Sequence, residues 1–298
     1  MSRAIRYMKW TDVSILFLCV VLLASVLGAV GPGGRERARR AVCLANLGQL
    51  TQAWLNYAVD HNGKIVNGDA GYYRSSGDLN EDPWVGRCWA SDFMAGGQLP
   101  EDLQADEIRK GAMWSNTQDL RLYRCPSGHA GQMLSYGAVS AMNGRHPTGT
   151  FIRGGSYVND TGVRIDHTVL WLKNLDEIID PDPAERVVFI DQGFAIPGSF
   201  AVHYTQEQWW DGPPGRHGDG TNVSFADGHV EHWQWQGEET IEAARQQGPS
   251  LAGNFLRPMT QQGREDLHRF QRAVWGRLGY GQPEEPDQGG NDNPNRRR

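Results

Sequence analysis

The longest hydrophobic pattern in the chain is Val13 to Val30 (VSILFLCVVLLASVLGAV), an uncharged run broken only by Ser14 and Ser25. Wound as a helix, its roughly 18 residues span about 27 Å, close to the hydrocarbon thickness of a bilayer. The apolar region of a secretory signal is usually shorter. The run therefore predicts a retained transmembrane anchor over 13–30, preceded by a short segment over 1–12. Gly31-Pro32-Gly33-Gly34 predicts a break over 31–35. A second helix is expected over 36–61, because Cys43, Leu47, Leu50, Trp54 and Tyr57 recur at spacings of four and three. Asn46, Gln49, Gln52 and Asn56 mark its opposite, polar face. His61-Asn62-Gly63 supplies residues suited to a left-handed cap.

Beyond that helix the periodicity weakens. Gly68 to Gln118 predicts loops with short helices, Arg121 to Cys125 a short strand or extended run, and Leu134 to Met142 a strand or tight packing segment. Val187 to Ile190 (VVFI), entered through Pro181-Asp182-Pro183, is the clearest buried strand. Gln262 to Leu278 predicts an amphipathic helix with Leu267, Phe270, Val274 and Leu278 on one side. After Gly281 the tail over 281–298 carries no large apolar residue and is expected to be disordered. The region 62–280 is thus expected to form one α+β domain.

The stretch Arg216 to Trp233 (RHGDGTNVSFADGHVEHW) combines a strand pattern with chemistry. Val223 and Phe225 alternate with Asn222, Ser224 and Ala226, as in a half-buried strand with Ser224 facing solvent. Asp227-Gly228 suits a type I′ hairpin turn, and His229 to Trp233 the returning strand. A metal reading stands beside the hairpin reading. Asp219, Asn222 and Asp227 could offer oxygens to calcium, and His217, His229 and His232 nitrogens to zinc, with His217, Asp219 and Asp227 as the core of that set. Alternation puts His229 and His232 on opposite faces, which weighs against convergence.

Composition narrows the function classes. A formal net charge of -6 over 298 residues gives no basic surface for nucleic acid. Eleven tryptophans and 37 glycines fit a loop-rich domain with aromatic packing. Cys19 lies in the apolar run, leaving Cys43, Cys88 and Cys125 outside it. Three thiols allow at most one disulfide within the chain, and either Cys43 or Cys88 could pair with Cys125. Trp209-Trp210 could form a stacking platform for a glycan, or fill the core. No serine stands in a nucleophile elbow, and Gly218-Asp219-Gly220 lacks the Lys-Ser/Thr of a phosphate loop.

Several blocks carry a resemblance. Cys43-Leu44-Ala45-Asn46-Leu47 with Gln49-Leu50, Cys125-Pro126-Ser127, Ser135-Tyr136-Gly137, Pro183 with Val187 to Asp191, and His217 followed after nine residues by Asp227-Gly228 occur in one order along the chain. The set resembles the type IV pilin-like, prepilin-type processing-associated proteins of planctomycetes and related bacteria, whose closing signature is carried here by His217, Asp227 and Gly228. Pilin-like precursors carry Gly-Phe-Thr-Leu-Ile-Glu before the apolar run. Lys9-Trp10-Thr11-Asp12-Val13-Ser14 stands in that place, without the glycine that the prepilin peptidase cuts after.

The resemblance implies an α+β, pilin-like fold in which an amphipathic helix packs on an antiparallel sheet behind a transmembrane helix. It also implies a non-enzymatic pseudopilin, structural or for assembly, linked to a type II secretion or type IV pilus-like system. The expected partners are the lipid bilayer, through 13–30, and pilin-like or secretion-system proteins. No catalytic residue and no cofactor is expected, with calcium or zinc at the His217 stretch as the alternative. The flanking charges, Arg3, Arg6 and Lys9 against Arg35, Arg37, Arg39 and Arg40, nearly balance. The short leader and single following body predict a bacterial inner-membrane, single-pass protein with a cytoplasmic N-terminus and an exported domain. A membrane-anchored glycan-binding module is a further alternative, and a metal-dependent enzyme centred on His217 and Asp227 another.

Overall fold

A computed structural model describes residues 10–71, 81–91, 97–144, 151–152, 156–157, 164–246 and 256–280; the side chains of 12, 22–30, 32, 151–152 and 156–157 are not among those described. The expected tail over 281–298 and the first nine residues lie outside this set. In chain order the elements are α1 (Trp10–Val30), α2 (Pro32–Asp60), β1 (Asn67–Ala70), β2 (Pro83–Val85), α3 (Glu101–Lys110), α4 (Trp114–Thr117), β3 (Tyr136–Ala138), β4 (Phe151–Ile152), β5 (Ser156–Tyr157), β6 (Arg164–Ile165), β7 (Thr168–Val169), β8 (Val187–Asp191), β9 (Gly220–Phe225), β10 (Val230–Gln234), α5 (Glu238–Arg245) and α6 (Gln261–Trp275).

Helix α1 covers the apolar run, with the side chains from Val13 to Val21 exposed. Among the described residues no helix is long and apolar enough to cross a membrane, so the anchor expected over 13–30 is without support from the structure. The break expected over 31–35 shrinks to Gly31. Pro32 sits at the first position of α2, where its missing N–H costs nothing and its fixed φ suits a helix start, so α2 begins four residues before Glu36. The far end matches expectation: Asn62 and Gly63 are both left-handed, and the Gly63 N–H donates to Ala58 O at 2.7 Å.

The core is a four-stranded antiparallel sheet in the order β10-β9-β8-β3, with α2 against one face and α6 against the other. Cys43, Leu47, Leu50 and Trp54 of α2 are buried, as their spacing predicts. Asn46, expected on the polar face, is buried too; its amide donates to the carbonyls of Arg121 and Arg124 at 3.2 and 3.1 Å. Arg121 lies in a 3-10 turn over Leu120–Tyr123, and Arg124 is the extended residue that follows it, so no strand forms there. Asp119 caps the turn by accepting the Arg121 N–H at 2.9 Å, a local bond that competes with strand pairing.

The hairpin pairs Val230 with Ser224 and His232 with Asn222. Its turn is not type I′, because Asp227 keeps a negative φ and only Gly228 is left-handed. Gly228 N–H donates to Phe225 O at 2.9 Å and Phe225 N–H to His229 O at 3.0 Å, the pattern of a turn followed by a glycine bulge. Strand β9 is buried along its whole length, so Ser224 does not face solvent. Alternation puts Asn222 and Ser224 on the α2 side, where Thr51 Oγ1 meets Ser224 Oγ at 2.6 Å. The other side carries Trp233, which packs on Phe270 of α6. Thr260 caps α6 by accepting the Gly263 N–H at 3.0 Å, and a left-handed Gly276 ends it.

Candidate functional site

Four chain segments meet where the first third of α2 crosses the ends of the central strands. Cys43 is on the buried stripe of α2. Cys125 follows the 3-10 turn, and its N–H donates to Ser135 Oγ at 3.1 Å while its carbonyl accepts the Gly128 N–H at 2.8 Å. Asp191 is the last residue of β8, in register with Tyr136. His217 stands in a tight loop whose ends are tied by Arg216 N–H to Gly220 O (2.7 Å) and Gly220 N–H to Arg216 O (3.1 Å). His217, Gly218 and Asp219 have φ of 56, 91 and 61°, three successive left-handed residues of which two are not glycine. That conformation is uncommon for a side-chain-bearing residue, and here it accompanies an imidazole that is fully buried.

The side chains converge. Cys43 Sγ lies 3.3 Å from Asp191 Oδ2, and Cys125 Sγ lies 3.2 Å from His217 Nε2. His217 Nε2 is 3.7 Å from Asp191 Oδ2. One donor atom from each of the four residues lies within 4.8 Å of all the others, and all four residues are buried. Around them stand further polar partners. His217 Nδ1 is 2.7 Å from Glu36 Oε1, and the Tyr136 hydroxyl donates to Cys43 Sγ at 3.4 Å. Arg216 Nε meets Asp191 Oδ1 at 3.2 Å, and the Gly193 N–H donates to the same oxygen at 3.3 Å.

This packing sets the charges. Burial opposes the Asp191 carboxylate, but the Arg216 guanidinium, His217 and Cys125 outweigh it and hold the group below the usual carboxylate range. Burial pushes the Cys43 thiol far up, with Cys125 and Asp191 adding to it. The neighbouring Cys43 thiol brings Cys125 down to about 7, helped by His217 and Arg216 against burial and Asp191. Burial alone would lower His217; hydrogen bonds to Asp191, Cys125 and Glu36 outweigh it and push it up to about 10. Two sulfurs, an imidazole nitrogen and a carboxylate oxygen form a donor set suited to a borderline-soft metal such as zinc, and unlike the all-oxygen sets that bind calcium.

The residues singled out from sequence fare unequally. His217 is in the cluster, but Asp219 and Asp227 are not. Asp219 forms a bidentate pair with Arg245, at 2.7 Å for each bond, and Asp227 accepts from the His229 backbone and ring inside its own turn. Of the set His217, Asp219 and Asp227, the structure thus groups only His217 with the other donors, while Arg245 and His229 take up the two aspartates. His229 stacks on Phe225 and His232 meets Asn222, on opposite faces as alternation requires. Gly228 serves the turn. Of the candidate disulfide cysteines, Cys43 and Cys125 come together while Cys88 is buried elsewhere near the Gly86 and Gln104 carbonyls; all three are free thiols. Trp209 cannot offer a stacking face: it is buried, stacked on Phe270 at 5.3 Å and edge-on to Trp235 at 5.7 Å. Trp210 is half-buried beside His203, so the pair forms no exposed platform.

Sequence reasoning missed Asp191, Arg216 and Glu36 as members of the site. A signal existed: Cys43, Cys125, Asp191 and His217 each lie in a different one of the blocks that carry the pilin-like resemblance. Comparison with known proteins bears on three of those blocks. Residues 33–171 match the model of a family, SBP_bac_10, described as "Protein of unknown function (DUF1559)". The chain is similar to that family over just under half its length. The matched segment holds α2, Cys43 and Cys125, and ends before Asp191, His217 and the Asp227-Gly228 turn. No curated protein and no solved structure matches the chain.

Proposed function

We propose that this chain is a non-enzymatic, pilin-like membrane protein, a pseudopilin that serves a structural or assembly role in a type II secretion or type IV pilus-like system. The observation that carries the reading is the packing of α2. It continues from the apolar α1 after a single non-helical residue, Gly31, and lays Leu47, Leu50 and Trp54 across an antiparallel sheet. The family similarity over 33–171 supports it by covering that helix. In this reading residues 13–30 form the anchor in a bacterial inner membrane, the domain after it is exported, and partners are pilin-like or secretion-system proteins. The apolar α1 drives association, and the sheet domain faces partners or cargo.

The test is fractionation of cells expressing the full chain, followed by crosslinking from single cysteines placed on exposed positions of α2 such as Gln49 and Gln52. Membrane recovery with crosslinks to pilin-like proteins is expected. A protein found in the soluble fraction, or a wholly monomeric one, overturns the reading.

A further inference from the structure

We propose that Cys43, Cys125, Asp191 and His217 together bind one zinc ion in a closed, structural site. The spacing of the donors carries this. Zinc–sulfur bonds of about 2.3 Å and zinc–nitrogen or –oxygen bonds of about 2.0 Å at tetrahedral angles place neighbouring donors roughly 3.3–3.8 Å apart. The separations here are 3.2 Å from sulfur to nitrogen, 3.3 Å from sulfur to oxygen and 3.7 Å from nitrogen to oxygen. These three of the six separations suit one tetrahedron, and the other three are within 4.8 Å.

The outer partners fit the same ion. A metal-bound histidine commonly gives its other ring N–H to a carboxylate, which fixes the ring and its tautomer. Glu36 accepts in that way at Nδ1 and leaves Nε2 to face both Cys125 and Asp191. Arg216 and the Gly193 N–H hold Asp191 Oδ1, so that Oδ2 is the oxygen presented to the cysteines. Tyr136 donates toward Cys43 Sγ, as expected around a thiolate ligand. Two thiolates and a carboxylate supply three negative charges against two on zinc, and the buried Arg216 beside them balances the remainder.

Four protein donors with no exposed edge describe a structural site rather than one with a position open for substrate. Its mechanical effect follows from the topology. The ion would tie α2 to the Cys125 turn, the end of β8 and the His217 loop, whose four donor residues lie 26 to 174 positions apart along the chain. The proposal is independent of the pilin-like reading.

Purification of the full chain in detergent, without chelator or metal-affinity resin, tests it. Zinc is measured by mass spectrometry of the element, and the cysteines by alkylation and peptide mapping. About one zinc per chain is expected, with Cys43 and Cys125 unlinked. That zinc is lost in Cys125→Ser and in His217→Gln, and kept in Cys88→Ser. So that misfolding of a variant does not decide the outcome, the wild-type chain is also stripped and titrated with cobalt. A thiolate-to-cobalt charge-transfer band with intense tetrahedral visible bands is expected. A Cys43–Cys125 disulfide, zinc retained in both ligand variants, or reduced chain that takes up neither zinc nor cobalt overturns the proposal.

Discussion

His217 Nδ1 lies 2.7 Å from Glu36 Oε1, a contact that joins the first turns of α2 to the loop before β9 across 181 positions of sequence. Glu36 is partly exposed while the imidazole is fully buried, so the carboxylate orients the ring from the rim of the cluster. Replacing it leaves the fold intact and loosens the ring. Glu36→Ala is expected to weaken zinc binding by about 10- to 100-fold, the usual effect of losing such a partner. Competition against a chromophoric chelator measures it, and unchanged affinity would show that Glu36 plays no orienting part.

Among the described residues, the side-chain bonds of Asp227 stay within its own turn. Its Oδ1 accepts the His229 N–H at 3.0 Å and approaches the ring at 2.6 Å. Asp227→Ala should cost about 1 kcal/mol of stability and leave metal content as in the parent chain. Loss of metal in this variant would return the site to the hairpin.

Ser224 sits under α2, where its hydroxyl accepts from Thr51 Oγ1 at 2.6 Å and from the Phe189 N–H at 3.3 Å. Ser224→Ala removes both of these bonds from a buried site and leaves the Thr51 hydroxyl without this acceptor, at a cost of roughly 1–3 kcal/mol. Chemical unfolding should register that drop. A change within about 0.5 kcal/mol, the scale of surface substitutions, would mean the position is in effect exposed.

Trp209 fills space between Phe270 and Trp235. Trp209→Ala is expected to destabilise by about 3–5 kcal/mol through the cavity it opens, and Trp210→Ala by clearly less. Equal, small effects from the two substitutions would contradict this packing.

Asp211 is buried, and its carboxylate accepts the Ala201 N–H at 2.6 Å. Burial, partly offset by that bond, raises its pKa to about 7. A group raised in the folded state contributes stability that is complete below its unfolded pKa of about 3.9 and is lost as pH rises to the folded value. Between pH 4 and 7 the loss runs at about 1.4 kcal/mol per unit and totals roughly 4 kcal/mol. Asp211→Asn removes this dependence, so the variant gains on the parent as pH rises, with a plateau above about 7. Unfolding curves for both chains from pH 4 to 8 provide the check, and a difference that stays flat with pH would refute the assignment.

The sequence by itself determined the elements whose signals are local. The four- and three-residue spacing on α2, the apolar block of β8, the two strands of the hairpin and the amphipathic stripe of α6 all follow from neighbours within a few positions, and the structure keeps each near its expected bounds, with a glycine-bulged turn in place of the expected type I′. Periodicity also separated the two faces of β10. It could not say what covers a face: Ser224 read as solvent-facing until α2 packed over it, and Asn46 read as polar surface until the Arg121 and Arg124 carbonyls met it. The tertiary structure alone decided which donors meet. Nearness in sequence favoured Asp219 and Asp227 as companions of His217, yet Asp227 is satisfied within its own turn and Asp219 by Arg245, 26 positions on. Its neighbours are instead Cys125, 92 positions away, and Asp191, at the end of another strand. Side-chain periodicity records which residues share a surface, whereas convergence of four segments depends on long-range chain closure and the order of strands in the sheet, and neither leaves a local trace.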